Sequence, residues 1–153
     1  MPETIKAIDF PSFVGKELKP SSWMEITQQR VNQFADATND HQFIHVDPER
    51  AAQTPFGGPI AHGFLTLSLI SHLTAENSLK PEGLVMAINY GSDKVRFLQA
   101  VRVGSRIRAQ QKILDASEKN PGQWLIKTAV TIEIENVEKP ALIAESLAML
   151  IIR

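Results

Sequence analysis

Asp40 and His45 stand five positions apart in the run Thr38-Asn39-Asp40-His41-Gln42-Phe43-Ile44-His45. A carboxylate and an imidazole so placed can hold one water between them, one group taking its proton and the other delivering a proton to the product. Alone, the same pair could simply cap a turn and make one structural hydrogen bond. The residues downstream favour chemistry. Pro55-Phe56-Gly57-Gly58-Pro59 makes a loop, and His62-Gly63 then opens an apolar run. The first amides of a helix have no acceptor inside it. A glycine there lets a substrate carbonyl come close to the backbone, and the helix dipole adds to the pull on a developing oxyanion. An acid, a base and an oxyanion site thus fall in one short stretch, Asp40 to Gly63.

Other chemistries are less well served. His41 and His45 have the i, i+4 spacing of a helical zinc site, but the sequence around them is a poor helix former and no Glu adjoins His41, so no metal is assigned. No cofactor is called for. His62 is either a third acid/base group or a residue that packs and orients, and His72 belongs to the core or an interface. The absence of cysteine excludes disulfides and thiolate catalysis. No serine sits in a nucleophile elbow, and no lysine follows the glycines as in a phosphate-binding loop. Lys94, Arg96, Arg102, Arg106 and Arg108 form a local basic cluster. It is either a solvated strand face or a docking surface for a phosphorylated carrier such as coenzyme A; Arg96, between Val95 and Phe97, could also sit in a buried ion pair.

The elements that must position these groups follow from periodicity. Residues 5–18 make an irregular lead-in and 21–26 a short strand. Thr27 caps a helix over Gln28 to Ala37, whose Val31, Phe34 and Ala35 share a face. Asn39 stops it. Asp47-Pro48 starts one or two further helical turns. His62 to Ser78 is one long helix, apolar nearly all round, and so belongs at the centre of the molecule. Strands are expected over 84–89, 93–97, 105–115, 123–135 and 141–152, with turns at 119–122 and 137–140. Helices followed by antiparallel strands give an α+β fold, a curled sheet of about five strands around the long helix. Its free edge points to dimerisation.

The bulk numbers fit a single globular domain over residues 1–153. Net charge −1 and a pI near 6.4 argue against nucleic acid or an anionic membrane as partner. No secretory leader and no membrane-spanning run is visible, so a cytoplasmic location is expected.

From Asp40 to Gly63 the sequence resembles the MaoC-like, (R)-specific enoyl-CoA hydratases. Their signature is a Gly-Asp-x-Asn-Pro-aliphatic-His loop with a His-Gly at the start of the central helix. Asp40, His45 and His62-Gly63 match it; Gln42 and Phe43 replace the usual Asn and Pro. The wording Asp-His-Gln-Phe-Ile-His-Val-Asp-Pro-Glu-Arg-Ala and the later Asn89-Tyr90-Gly91 and Val95-Arg96-Phe97 resemble the nodulation-protein-N-like branch. The resemblance implies a hot-dog fold, a homodimer whose sheets join, and hydration of a trans-2-enoyl thioester in fatty acid metabolism. It implies that Asp40 and His45 hold the water and that the Gly63 N–H binds the thioester oxygen. Gln42, His62, Phe64, Leu65 and Arg96 are then expected around the acyl-CoA or acyl-carrier-protein substrate. A hot-dog thioesterase using Asp40 as base, or a non-catalytic acyl-thioester-binding subunit, are the alternatives.

Overall fold

The computed structural model describes residues 2–153. Strand β1 (Glu3–Ile5) leads into a 3-10 helix over Ala7–Phe13, and β2 (Met24–Glu25) follows. Helix α1 spans Gln28–Thr38. Its Thr27 cap accepts from the Arg30 N–H at 3.1 Å, an interaction worth about 1 kcal/mol. Asn39 ends it in the left-handed region at φ 58°, a conformation Asn tolerates better than most side chains. Two short helices follow, α2 (Phe43–Val46) and α3 (Pro48–Ala52), the second capped by Asp47 on the Arg50 N–H. The helical turn at α2 corrects the expectation that this stretch is non-helical: His45 N–H to Gln42 O and Asp47 N–H to Phe43 O close it.

The expected long helix is shorter and divided. Helix α4 is Gly63–Ser68 and α5 is Ile70–Ala75, joined through Leu69 in right-handed helical conformation. It stops before Ser78 because Leu79–Pro81 forms β3 and pairs in parallel with β1. Asn77 is also tied to the Pro20 carbonyl at 2.9 Å.

The main sheet contains β2, β4 (Leu84–Phe97), β5 (Arg106–Asn120), β6 (Gln123–Ile134) and β7 (Val137–Ile152). Its order is β2-β5-β6-β7-β4, antiparallel throughout. Two expected strands, 84–89 and 93–97, are one strand. Gly91 does not end it, because irregularities in the β4–β7 register absorb the extra residues. The turn expected at 137–140 is strand. The reversal lies just before it, where Asn136 takes φ 62°.

Alternation along the strands separates two faces. Ile107, Ile132 and Leu142 are fully buried against Leu65, Leu69 and Leu73 of the helix, each burial contributing about 1.5–3 kcal/mol. Arg106 pairs with Glu135 and Arg108 with Glu133 on the outer face. No described helix is long and apolar enough to cross a membrane.

Candidate active site

The sheet wraps the helix so that the Gly63 end meets the loop from Asn39 to Ile60. Ile60 N–H donates to the Ile44 carbonyl at 3.0 Å, and the His45 ring Nδ1 donates to the Ile60 carbonyl at 2.7 Å. Gln28 Nε2 donates to the His45 carbonyl at 2.8 Å. The ring therefore keeps its Nδ1–H, and its Nε2 lone pair is free to accept. His45 is 6% exposed. Burial holds its pKa below the ordinary 6.5; the Ile60 hydrogen bond opposes this, His62 lowers it further, and Asp40 pulls it up. His45 is neutral at neutral pH.

His62 stacks on His45, ring centroids 3.8 Å apart and planes 24° apart, and packs against Phe34 at 4.8 Å. Its Nε2 donates to the Asp40 backbone carbonyl at 2.9 Å. Its Nδ1 is buried and has no partner among the described residues. His62 thus fixes the backbone that carries Asp40. A carboxylate oxygen of Asp40 and a ring nitrogen of each histidine lie within 4.8 Å of one another. Two imidazoles and a carboxylate are a chemically suitable set for a divalent ion. Their geometry fits one poorly: imidazole lone pairs lie in the ring planes, and stacked rings aim them side by side rather than at one point. The Asp40 carboxylate and the His45 Nε2 lone pair, two acceptors so close together, instead suit a small molecule that donates two hydrogen bonds, such as water. His41 is not part of the group, since it pairs with Asp36 at 2.8 Å on the surface.

Gly63 is the first residue of α4, so its N–H has no acceptor within the helix. A Cβ built there would come within 3.1 Å of the Phe97 ring, so a glycine is what lets Phe97 close over this turn. His45, Gly63, Thr66, Phe97 and Ala141 line a cavity of about 360 Å³. Phe97 meets the exposed Phe64 edge-on at 5.8 Å. Sequence reading did not assign Phe97, Thr66 or the Ile60 carbonyl to the site. The Val95-Arg96-Phe97 run was the one available signal.

The remaining expected residues divide. Gln42 is exposed and its carbonyl accepts from His45 N–H at 3.0 Å, so it serves the loop through its backbone. Leu65 is 5% exposed and belongs to the core cluster. Arg96 lines neither this cavity nor the one beyond the helix; its Nη1 donates to the Val95 carbonyl at 2.7 Å, and it is exposed rather than in a buried ion pair. The basic cluster does not converge. Lys94 pairs with Glu145 at 3.5 Å, Arg106 and Arg108 hold glutamates, and Arg102 donates to the Gly57 carbonyl at 3.0 Å. That last contact needs Gly58, whose Cβ would fall 2.6 Å from Arg102 Nη2.

The sequence profile of the MaoC-like domain matches residues 9–137. The chain is 49% identical to nodulation protein N of Rhizobium meliloti over 146 residues, 95% of this chain and 91% of that one. It is 47% identical to 3-hydroxyacyl-thioester dehydratase Z of Mycobacterium tuberculosis over 139 residues, 91% of each. Among solved structures it is similar to the R-hydratase of Pseudomonas aeruginosa, with TM-score 0.73, 26% identity, and coverage of 92% of this chain and 83% of that one. The (R)-hydratase of A. caviae gives TM-score 0.71 at 27% identity, covering 88% and 94%. The five-stranded sheet curled around α4–α5 is the hot-dog fold.

Proposed function

This chain belongs to the MaoC-like domain family, and on that premise we propose that it adds water across the double bond of a trans-2-enoyl thioester, giving the (R)-3-hydroxyacyl thioester. The observation that carries this reading is that His45, with its Nε2 lone pair free, and Gly63, the first residue of α4, line one cavity, while a carboxylate oxygen of Asp40 lies within 4.8 Å of a His45 ring nitrogen. Water donates its two hydrogens to Asp40 and to neutral His45. Its oxygen attacks C3 as the π bond breaks, and charge grows on the thioester oxygen, where the Gly63 N–H meets it. The proton taken up by the Asp40–His45 pair is returned to C2, so one water is added and nothing else is consumed. The geometry leaves either member of the pair able to serve as carrier. His62 holds the Asp40 loop in register through its bond to the Asp40 carbonyl.

The carrier is coenzyme A or acyl-carrier protein. The working unit is a homodimer. Strand β4 supports this, since it lies at the sheet edge and exposes Val85, Met86, Ile88 and Tyr90. Following enoyl absorbance with crotonyl-CoA and a longer trans-2-enoyl-CoA, with a thiol reagent alongside, tests the reaction. Loss of absorbance without thiol, giving the (R)-alcohol, is expected. Thiol release would assign the site to thioester hydrolysis instead.

A further inference from the structure

The inner face of the sheet is apolar except for a polar band, to which β4 contributes Asn89, held by the Ser71 hydroxyl at 3.4 Å, and each of three neighbouring strands contributes one residue. Strand β5 reads Ile107, Ala109, Gln111, Ile113 along this face. Strand β6 reads Ile126, Thr128, Val130, Ile132, and β7 reads Leu142, Ala144, Ser146, Ala148, Leu150. Thr128 and Ser146 are direct cross-strand partners, and Gln111 faces Val130 one step along. Opposite them, α5 contributes Ser71 and Thr74. These residues, with Asn89, Ser78 and Lys80, line a second cavity of about 420 Å³. The small side chains of Ala87, Ser146 and Ala148 help leave this space open.

Gln111 decides what the cavity suits. It is 6% exposed. Its Nε2 donates to the Thr74 carbonyl at 3.0 Å. That bond fixes which way the amide faces, because an amide oxygen cannot point at a carbonyl. Among the described residues nothing donates to its Oε1, and the hydroxyls of Thr128 and Ser146 are likewise without a protein partner. Gln111 is buried and Thr128 and Ser146 are half-buried, so three polar groups open onto an apolar cavity with capacity to bond a ligand that enters it.

The two cavities lie along the same helix pair, the first lined by Gly63 and Thr66 and the second by Ile70, Ser71 and Thr74. Phe64, Ser68, Ser71 and Ala75 follow one exposed side of α4–α5. At 1.5 Å per residue, Ser71 is roughly 12 Å beyond Gly63. An acyl chain whose thioester oxygen sat at Gly63 would have to follow this side of the helix to reach the second cavity.

We propose that the second cavity receives the far part of the acyl chain, and that Gln111, Thr128 and Ser146 select chains carrying a hydroxyl there over plain hydrocarbon chains. The proposal rests on the enoyl-thioester reading of the site. A plain chain strips Gln111 Oε1 of water and returns nothing, whereas a hydroxyl donates to it. Sites built around a hydrogen bond discriminate strongly against the analogue that lacks it.

The test compares trans-2-decenoyl-CoA with its terminal-hydroxyl analogue, each rate expressed relative to crotonyl-CoA, whose chain ends short of the cavity. Wild-type protein is expected to favour the hydroxylated chain by about tenfold in kcat/KM, with the difference in KM. Gln111→Leu, close in size, is expected to reverse the preference, and Ser146→Ala to weaken it. A wild-type preference for the plain chain, or an unchanged ratio in Gln111→Leu, overturns the proposal. Should no enoyl thioester react, the hydratase reading fails, and the cavity is then judged by calorimetry with decanoyl-CoA and its terminal-hydroxyl analogue. Tighter binding of the hydroxylated ligand, lost in Gln111→Leu, upholds the selection; equal binding refutes it.

Discussion

The two ends of the central helix treat polar groups in opposite ways. At the Gly63 end both imidazoles are anchored to backbone carbonyls, His45 on Ile60 and His62 on Asp40. Anchoring fixes each ring's tautomer and direction, so the lone pairs left over are aimed. At the far end, Gln111 is anchored through one atom only, and Thr128 and Ser146 through none. A reaction centre needs preorganised groups. A cavity that sorts chains needs unsatisfied ones.

The largest effect expected from breaking this contrast is at His45. His45→Gln removes the imidazole lone pair and should lower kcat/KM for hydration by roughly 10²-fold or more, read by the loss of enoyl absorbance. Next comes His62→Phe, which keeps a ring against His45 and Phe34 but releases the Asp40 carbonyl. The Asp40 loop then loses its register, and a fall of about tenfold in kcat is expected, with little change in KM. Gly63→Ala sets a methyl 3.1 Å from the Phe97 ring; that ring is half exposed and can turn aside, so a small fall in Tm is expected, on the order of 1 kcal/mol or less.

The smallest effect is the pH dependence. His45 is held below 6.5 in the folded chain. Activity should therefore show an acidic limb whose midpoint lies below 6.5, where His45 takes up a proton. Stability follows the same sign. The unfolded chain binds that proton near 6.5 and the folded chain only at lower pH. The stability is thus complete above 6.5 and falls as pH drops between the two values. Melting curves from neutral to mildly acidic buffer check this, and a His45→Gln variant should lose that part of the slope.

Much of this was readable in the residues. Thr27, Asn39 and Asp47-Pro48 marked helix boundaries correctly because capping is local. The strand faces were legible because alternation is local too. What escaped reading depends on partners distant in sequence. The long helix ends early because Leu79–Pro81 is drawn to Glu3–Ile5, and β4 runs through Gly91 because β7 holds it. The basic cluster dispersed largely for the same reason: Lys94, Arg106 and Arg108 meet carboxylates across the sheet, Arg102 meets a loop carbonyl, and Arg96 bonds the carbonyl of its own neighbour Val95. Asp40, His45 and Gly63 could be named as candidates from spacing and resemblance. The stacking of His62 on His45, and the Phe97 ring over Gly63, could not, since nothing in residues 40–63 reveals what the end of β4 brings to them.

The most direct test of the account is the hydration rate of Asp40→Asn beside wild-type on the same trans-2-enoyl-CoA, with melting curves for both. Asn keeps the shape and removes the charge. The account predicts a native-like Tm and a loss of roughly 10²-fold or more in kcat/KM. A native-like Asp40→Asn protein that hydrates the substrate at the wild-type rate would contradict it.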